Sequence, residues 1–137
     1  MPFDSAPDPI APSSARRRSR GRAAGATGRG AEAAVARRYA CAGWREVARN
    51  WRPGRLHGGG EIDLILRRGQ VLAFVEVKAR RTLEQAAHAV SPAQRGRIEA
   101  AAIRFAELEE ALHLDLRFDV ALCDRDGRME ILENAFV

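Results

Sequence analysis

Cysteine, lysine and long apolar runs are all scarce in this sequence. Its two cysteines, Cys41 and Cys123, stand far apart and belong to no CxxC pair or His/Cys cluster at metal-ligand spacing. This spacing argues against a disulfide framework and a structural zinc site, and it predicts reduced thiols in a cytoplasmic protein. No apolar run reaches the roughly 18 residues of a membrane span, and the N-terminus has no apolar secretory signal. We therefore expect a soluble, cytoplasmic protein with no membrane partner.

Large apolar residues are nearly absent from residues 1–27, which carry four of the six prolines together with serines and a run of arginines. Such a composition is typical of disorder. Residues 1–30 hold six arginines against two aspartates, so most of the chain's formal net charge of +5 lies there. We interpret residues 1–27 as a disordered basic tail and residues 28–137 as a single domain. Because the excess charge lies in the tail, charge alone is weak evidence for a nucleic-acid partner.

The first half of the domain has the pattern of one helix followed by three strands. The Ala-rich stretch 31–42 predicts a helix, because its larger apolar residues recur at helical spacing. Residues 44–51 predict a short strand. Two β-rich runs, 61–67 and 71–79, predict a hairpin that turns at Arg68-Gly69.

The second half predicts a long helix and then one or two strands. Residues 91–94 (SPAQ) form a capping box with proline at the first helical position. The predicted apolar face of this helix comprises Ile98, Ala102, Phe105, Leu108 and Leu112. Residues 114–123 alternate as in a strand, with Asp115, Arg117 and Asp119 on the polar side, and a short strand follows near 129–132. The element order predicts an α/β domain with a sheet between helices.

Charged residues interrupt the otherwise apolar strand 71–79. Glu76 and Lys78 point to the same face, because side chains alternate along a strand, and burying them unpaired would be costly. Asp63 lies on the preceding strand, and a two-residue turn at Arg68-Gly69 would place it opposite Phe74 and diagonal to Glu76. A three-residue loop would separate the two carboxylates unless a bulge restored the register.

Two converging carboxylates on rigid strands form a hard-oxygen site suited to Mg²⁺ or Mn²⁺, completed by water, the Val77 carbonyl and a substrate phosphate. Lys78 could orient or deprotonate an attacking water, or neutralise charge that develops on the phosphate. We therefore predict Asp63, Glu76 and Lys78 as catalytic residues, with the two carboxylates as metal ligands. The alternative is that they are ordinary strand charges or a core ion pair.

Two further observations bear on this site. Lys78 is the only lysine in a chain with 22 arginines, as expected if the position needs a compact ammonium that guanidinium cannot replace. Glu32 shares a helical face with Val35 and Tyr39, so it is a fourth candidate for catalysis and metal binding. The alternative for Glu32 is a first-turn carboxylate favoured by the helix dipole.

Several segments resemble the YraN-type family of uncharacterised bacterial proteins over about residues 28–137. They are GRGAEAAVARRYACAGW, ARNWR, GEIDLIL, FVEVKARR, AVSPAQRGRIEAAAIRF, RFDVAL and ENAF. GEIDLI and FVEVKAR, in this order and spacing, are the most specific. That family is similar to the PD-(D/E)xK nucleases, which have a restriction-endonuclease-like αβββαβ core with a mixed sheet flanked by helices. The resemblance implies an endonuclease that hydrolyses phosphodiester bonds in DNA with Mg²⁺ or Mn²⁺, with a structure-selective, resolvase-like preference.

The resemblance also implies roles for individual residues. Asp63, Glu76 and Lys78 match the catalytic motif, and Glu32 matches an acidic residue that resolvase-like members carry on the first helix. The chain departs from the family pattern at Ala31, where glycine is usual, and at Gln94, where lysine is common. The residues predicted to contact phosphates are Arg52, Arg55, Arg80, Arg95 and Arg97.

A fold and a motif do not prove turnover. The alternative function is a non-catalytic nucleic-acid-binding or adaptor protein, and an exposed apolar face on the long helix would favour the adaptor. The sequence leaves open whether the protein is a monomer or a homodimer.

Overall fold

The computed structural model describes residues 30–54 and 60–136. Their helices and strands are α1 (Ala31–Cys41), β1 (Arg45–Trp51), β2 (Ile62–Arg68), β3 (Val71–Ala79), α2 (Leu83–Ala87), α3 (Pro92–Leu108), β4 (Asp115–Cys123) and β5 (Met129–Leu132). No helix in this part of the chain is long and apolar enough to cross a membrane. The predicted tail, residues 1–27, lies outside the described residues, so the predicted domain boundary stays a prediction.

The strands described here form one mixed sheet in the order β1-β2-β3-β4-β5. Neighbouring strands are antiparallel except β3 and β4, which run parallel and are joined by a crossover that contains α2 and α3. Helices cover the sheet on both faces, so the molecule is an α/β protein with a restriction-endonuclease-like core. This confirms the predicted fold class, whereas the short helix α2 had not been predicted.

Apolar side chains fill both faces of the central strands. On one face Val35 and Tyr39 of α1 pack in a cluster with Val75 of β3, and on the other Phe105 of α3 packs in a cluster with Phe74. Burial on both sides explains why β2 and β3 are nearly continuous apolar runs in the sequence, without alternation of apolar and polar residues. Among the charged residues of these two strands, Arg67, Glu76 and Lys78 are therefore buried and Asp63 is half-buried, whereas Arg68 at the turn is exposed.

The turn between β2 and β3 differs from the prediction by one residue. Arg68 still pairs with Val71, so the turn comprises Gly69 and Gln70, and Gly69 has the left-handed backbone conformation (φ 60°) that glycine adopts without steric cost. Asp63 is thereby brought level with Glu76, not with Phe74 as predicted. Because this moves the partner of Asp63 by two residues, both carboxylates keep the predicted common face.

The apolar face predicted for the long helix is only partly correct. Ile98, Ala102 and Phe105 are buried, but Leu108 and Leu112 are 52% and 56% exposed. The helix ends at Leu108 because Glu110 takes a left-handed conformation, and the Ala111 N–H donates to the Ala106 carbonyl in a Schellman motif. The chain turns there, and Ala111 and Leu114 are buried instead.

Asp119, predicted on the polar side of its strand, is fully buried. Its carboxylate accepts the Tyr39 hydroxyl at 2.7 Å, two bonds from the Arg117 guanidinium at 3.0 and 2.9 Å, and the Asn134 N–H at 3.0 Å. These bonds replace the water that a buried carboxylate loses. Asp119 thus ties α1, β4 and the segment after β5 together.

Candidate active site

The candidate site lies where β2 and β3 stop pairing. Their ladder ends at Leu64 and Val75, and beyond it the Asp63 carboxylate accepts the N–H of Val77 at 2.8 Å. A side chain of β2 thus bonds to the backbone of β3, which fixes Asp63 beside Glu76. The hairpin itself therefore positions both predicted carboxylates.

Glu76 is held by two donors that reach the same oxygen. Lys78 Nζ lies 3.0 Å from Glu76 Oε2, and Gln94 Nε2 from the first turn of α3 donates to it at 2.8 Å. Glu76 and Lys78 are only 6% and 9% exposed, so this is a buried ion pair. The amide of Gln94 adds a charge-assisted hydrogen bond, which helps to compensate the loss of hydration.

The carboxyl group of Asp63 is close enough to Glu76 for the charge of Glu76 to shift its pKa. Burial and, after it, the negative charge of Glu76 raise the pKa of Asp63 to about 8, although the hydrogen bond from the Val77 N–H acts in the opposite direction. A hydrogen bond between the two carboxyl groups also favours the protonated form of Asp63. When no cation is bound, Asp63 is therefore protonated at neutral pH, and a divalent cation would take the place of that proton.

Glu32 lies within electrostatic reach of this pair. Burial raises the pKa of Glu32, and the charges of Glu61 and Glu76 raise it further, whereas Arg49 and a hydrogen bond from Asn50 lower it. Glu32 also contributes to the raised pKa of Asp63. Glu32 is thus within electrostatic range of Asp63 and Glu76, and its roles in catalysis and metal binding stay predictions.

Two of the predicted phosphate-binding arginines, Arg52 and Arg55, lie between β1 and β2 in the sequence. Arg52 is exposed and pairs with Glu61 at 3.0 Å. Arg55 lies outside the described residues. Glu61 therefore interacts both with Arg52, through this ion pair, and with Glu32, whose pKa its charge raises.

Three other predicted arginines surround the start of α3 and the end of β3. Arg80 is exposed and donates to the Ala79 carbonyl at 2.8 Å. The Arg95 guanidinium carbon lies 4.9 Å from the centre of the Phe136 ring, as in a cation–π contact. Arg97 is exposed, and a Cβ added to Gly60 would come within 3.3 Å of the Arg97 Cβ, so the segment entering β2 runs close to α3.

Sequence reasoning missed the contact of Gln94 with Glu76, whereas Glu61 and Asn50 fall on positions of the family motif to which the sequence assigned no definite role. Gln94 was predicted as part of a capping box, and Ser91 Oγ does accept the Gln94 backbone N–H at 3.1 Å. Its side chain, however, contacts Glu76 eighteen residues away in sequence. The available signal was a glutamine at the start of the helix that follows β3. Its amide can donate to the buried charges of that strand.

The donor set fits a hard divalent cation, because Asp63 and Glu76 offer carboxylate oxygens that repel each other without a counter-charge. Among residues 30–54 and 60–136, no group of three or more His, Cys, Asp or Glu side chains is arranged to hold a metal. The remaining positions would therefore go to water, backbone carbonyl and substrate oxygens, as is usual for Mg²⁺.

The fold and the charged cluster together define a restriction-endonuclease-like α/β protein with an acidic pair and a buried lysine on its central hairpin. The chain belongs to the Uncharacterised protein family UPF0102, whose model matches residues 31–123, and this confirms the YraN-type resemblance. A UPF0102 protein of Roseobacter denitrificans is 46% identical over 116 residues, which cover 84% of this chain and 87% of that relative. A UPF0102 protein of Ruegeria pomeroyi is 46% identical over 119 residues, 86% of this chain and 94% of that relative.

Proposed function

We propose that this protein is an endonuclease that hydrolyses phosphodiester bonds in DNA with the help of Mg²⁺ or Mn²⁺. The observation that carries the proposal is the meeting of Asp63 and Glu76 beside the buried ammonium of Lys78. Ionisable groups with a strongly shifted pKa cluster at functional sites, and Asp63 is such a group. DNA as the substrate, and a preference for branched structures, follow from the family resemblance.

The two carboxylates have the fixed geometry that such chemistry needs. Asp63 is held by the Val77 N–H, and Glu76 by Lys78 and Gln94, so neither carboxylate must reorganise when substrate arrives. A divalent cation held by Asp63 and Glu76 would supply positive charge for the scissile phosphate and acidify the attacking water.

Lys78 contributes a positive charge that the sheet holds in place. Its ammonium can donate to an anionic phosphate oxygen or to the attacking water while one donor stays on Glu76. A fixed donor is worth most where charge develops in the transition state. The arginines around the site (Arg52, Arg80, Arg95 and Arg97) would bind flanking phosphates and set the register of the strand.

The test uses single-stranded, duplex, flap and four-way-junction DNA incubated with the pure protein and Mg²⁺, Mn²⁺ or EDTA. We expect cleavage with the divalent cations, none with EDTA, and a preference for a branched substrate. Glu76→Gln protein, purified in the same way, is the control for contaminating nucleases. Cleavage that persists in Glu76→Gln, or no cleavage of any substrate by the wild type, would contradict the proposal.

A second candidate is an adaptor that keeps the fold without turnover. It is favoured by the exposure of Ile103 (47%), Leu108 and Leu112 in or just after α3, since large exposed apolar side chains occur at protein-binding surfaces. The same assay separates the two functions, because an adaptor would cleave none of the substrates, whether or not it binds DNA.

A further inference from the structure

We propose that Gln94 is a positioning residue that fixes the Glu76 carboxylate for a divalent cation and does so without adding charge. This inference rests on the proposed metal-dependent function, and it assigns a role to a residue outside the predicted catalytic set. Its basis is the 2.8 Å hydrogen bond from Gln94 Nε2 to Glu76 Oε2.

The donors on Glu76 are placed asymmetrically. Gln94 and Lys78 both reach Oε2, at 2.8 and 3.0 Å, so neither of these two bonds uses Oε1. Two donors from different elements, α3 and β3, restrict rotation of the carboxylate more than one could. Oε1 is thereby oriented for a further partner, such as a cation shared with Asp63.

The start of α3 holds Gln94 rigidly. Ser91 caps the helix by accepting the Gln94 backbone N–H at 3.1 Å, and Pro92 stands in the first helical turn. In a capping box the third helical residue can be glutamate or glutamine, because only a side-chain oxygen acceptor is needed. The bond to Glu76 needs a donor, which glutamine has and glutamate lacks. A glutamine at this position is therefore explained by its hydrogen bond to Glu76 and not by helix capping alone.

The neutrality of Gln94 matters because the site already contains one ammonium. A second ammonium near Glu76 would compete with a divalent cation for the same carboxylate. The neutral amide of Gln94 instead orients the Glu76 carboxylate without neutralising its negative charge, which remains to attract the cation.

The test measures cation binding without DNA, by titrating the full-length protein calorimetrically with Mn²⁺ and then with Mg²⁺. Gln94→Met removes the donor while keeping side-chain length and helix propensity. We expect Mn²⁺ affinity to fall about 10- to 100-fold, as is typical when a partner that orients a metal ligand is removed. Gln85→Met, in the exposed part of α2, is the matched control and should bind as the wild type does.

Gln94→Lys restores a donor but adds positive charge, so we expect it to melt like the wild type and still bind Mn²⁺ more weakly. If Gln94→Met is too unstable to titrate, Gln94→Ala takes its place. Wild-type affinity in the variant that lacks the donor would overturn the inference while leaving the nuclease proposal intact. Wild-type affinity in Gln94→Lys would overturn the charge argument. No Mn²⁺ binding by the wild type would overturn both the metal-dependent function and this inference.

Discussion

Lys78 Nζ lies 3.0 Å from Glu76 Oε2 in a strand whose other residues are apolar. Burying such a pair costs hydration that the attraction between the charges does not reliably recover. An apolar pair would serve stability at least as well, so the ion pair is best explained by the chemistry it supports. A substitution that keeps the positive charge but replaces the compact ammonium can therefore test whether the chemistry needs lysine itself.

We expect Lys78→Arg to reduce DNA cleavage about 10²- to 10³-fold, as loss of one group that stabilises a transition state does. Charge is preserved, but guanidinium is larger, planar and effectively never deprotonated. DNA binding should stay within a few-fold of the wild type. Single-turnover cleavage rates and equilibrium binding, measured in parallel, check both expectations.

Thermal melting decides what a loss of activity in Lys78→Arg means. Wild-type melting with lost turnover supports a catalytic role, whereas unfolding would make Lys78 a core ion-pair partner. Arg37→Lys on the exposed side of α1 makes the reverse exchange away from the site and should change neither property. Cleavage by Lys78→Arg at the wild-type rate would contradict the catalytic assignment.

The raised pKa of Asp63 predicts how stability depends on pH. Its usual value is 3.8, and burial together with Glu76 raises it to about 8. Between these values the folded protein binds more protons than the unfolded chain, so the free energy of unfolding falls as pH rises across this range. Asp63→Asn, which mimics the protonated carboxyl, should remove that loss. At pH 8.5, without divalent cations, we expect the variant to be more stable by at least about 1 kcal/mol.

Urea unfolding at pH 5.5 and 8.5 in EDTA measures this difference. The variant should gain less at pH 5.5 than at pH 8.5, because only the part of the loss that builds up between pH 3.8 and 5.5 is then present. Asp115→Asn, an exposed aspartate at the start of β4, is the control and should show no such pH-dependent gain. An equal effect of Asp63→Asn at both pH values would mean that the carboxyl does not titrate in this range.

The sequence predicted the central hairpin and its charged face because these depend on short-range periodicity. Side chains two residues apart share a strand face whatever the rest of the fold is, so the sequence alone assigned Glu76 and Lys78 to one face. The sequence did not determine which two residues form the turn, because Gly69 can occupy either central position of a two-residue turn. The structure places it first, which brings Asp63 level with Glu76.

Contacts between distant segments were not predictable in the same way. Gln94, Asn50 and Glu61 reach the site from α3, β1 and the segment before β2, and no local pattern encodes their proximity. Asp119 was placed on a polar side because alternation usually marks a strand with one solvated face. The face of β4 that carries Asp119 is instead covered by α1, where Tyr39 donates to it.

This buried contact predicts a purely structural effect. Burial and the charge of Asp119 raise the pKa of Tyr39, so its hydroxyl stays protonated and donates to Asp119. Tyr39→Phe removes one of the donors to a buried carboxylate and should cost about 1–3 kcal/mol of unfolding free energy. Urea denaturation checks this, and metal affinity measured by calorimetry should not change. A loss of Mn²⁺ binding in folded Tyr39→Phe would mean that Asp119 communicates with the site.

The last prediction concerns Arg95, whose guanidinium carbon lies 4.9 Å from the centre of the Phe136 ring. Phe136 in turn stacks on Phe118, with ring centres 5.4 Å apart, so the arginine rests on an ordered aromatic surface. If Arg95 binds a phosphate, Arg95→Ala should weaken DNA binding for all sequences alike. It should also make the slope of log affinity against log salt shallower by about 0.9, the value for one phosphate contact on duplex DNA.

Phe136→Leu tests whether the ring positions Arg95 for that contact. It keeps an apolar side chain against Phe118 but removes the aromatic face beneath the guanidinium. We expect DNA binding to weaken a few-fold with little change in the salt slope, because the charge remains while its position is less restricted. Arg37→Ala, from the exposed side of α1, should leave the slope unchanged if the contact belongs to the site. Equal slopes for the wild type and Arg95→Ala would show that Arg95 contacts no phosphate and serves only to cover Phe136.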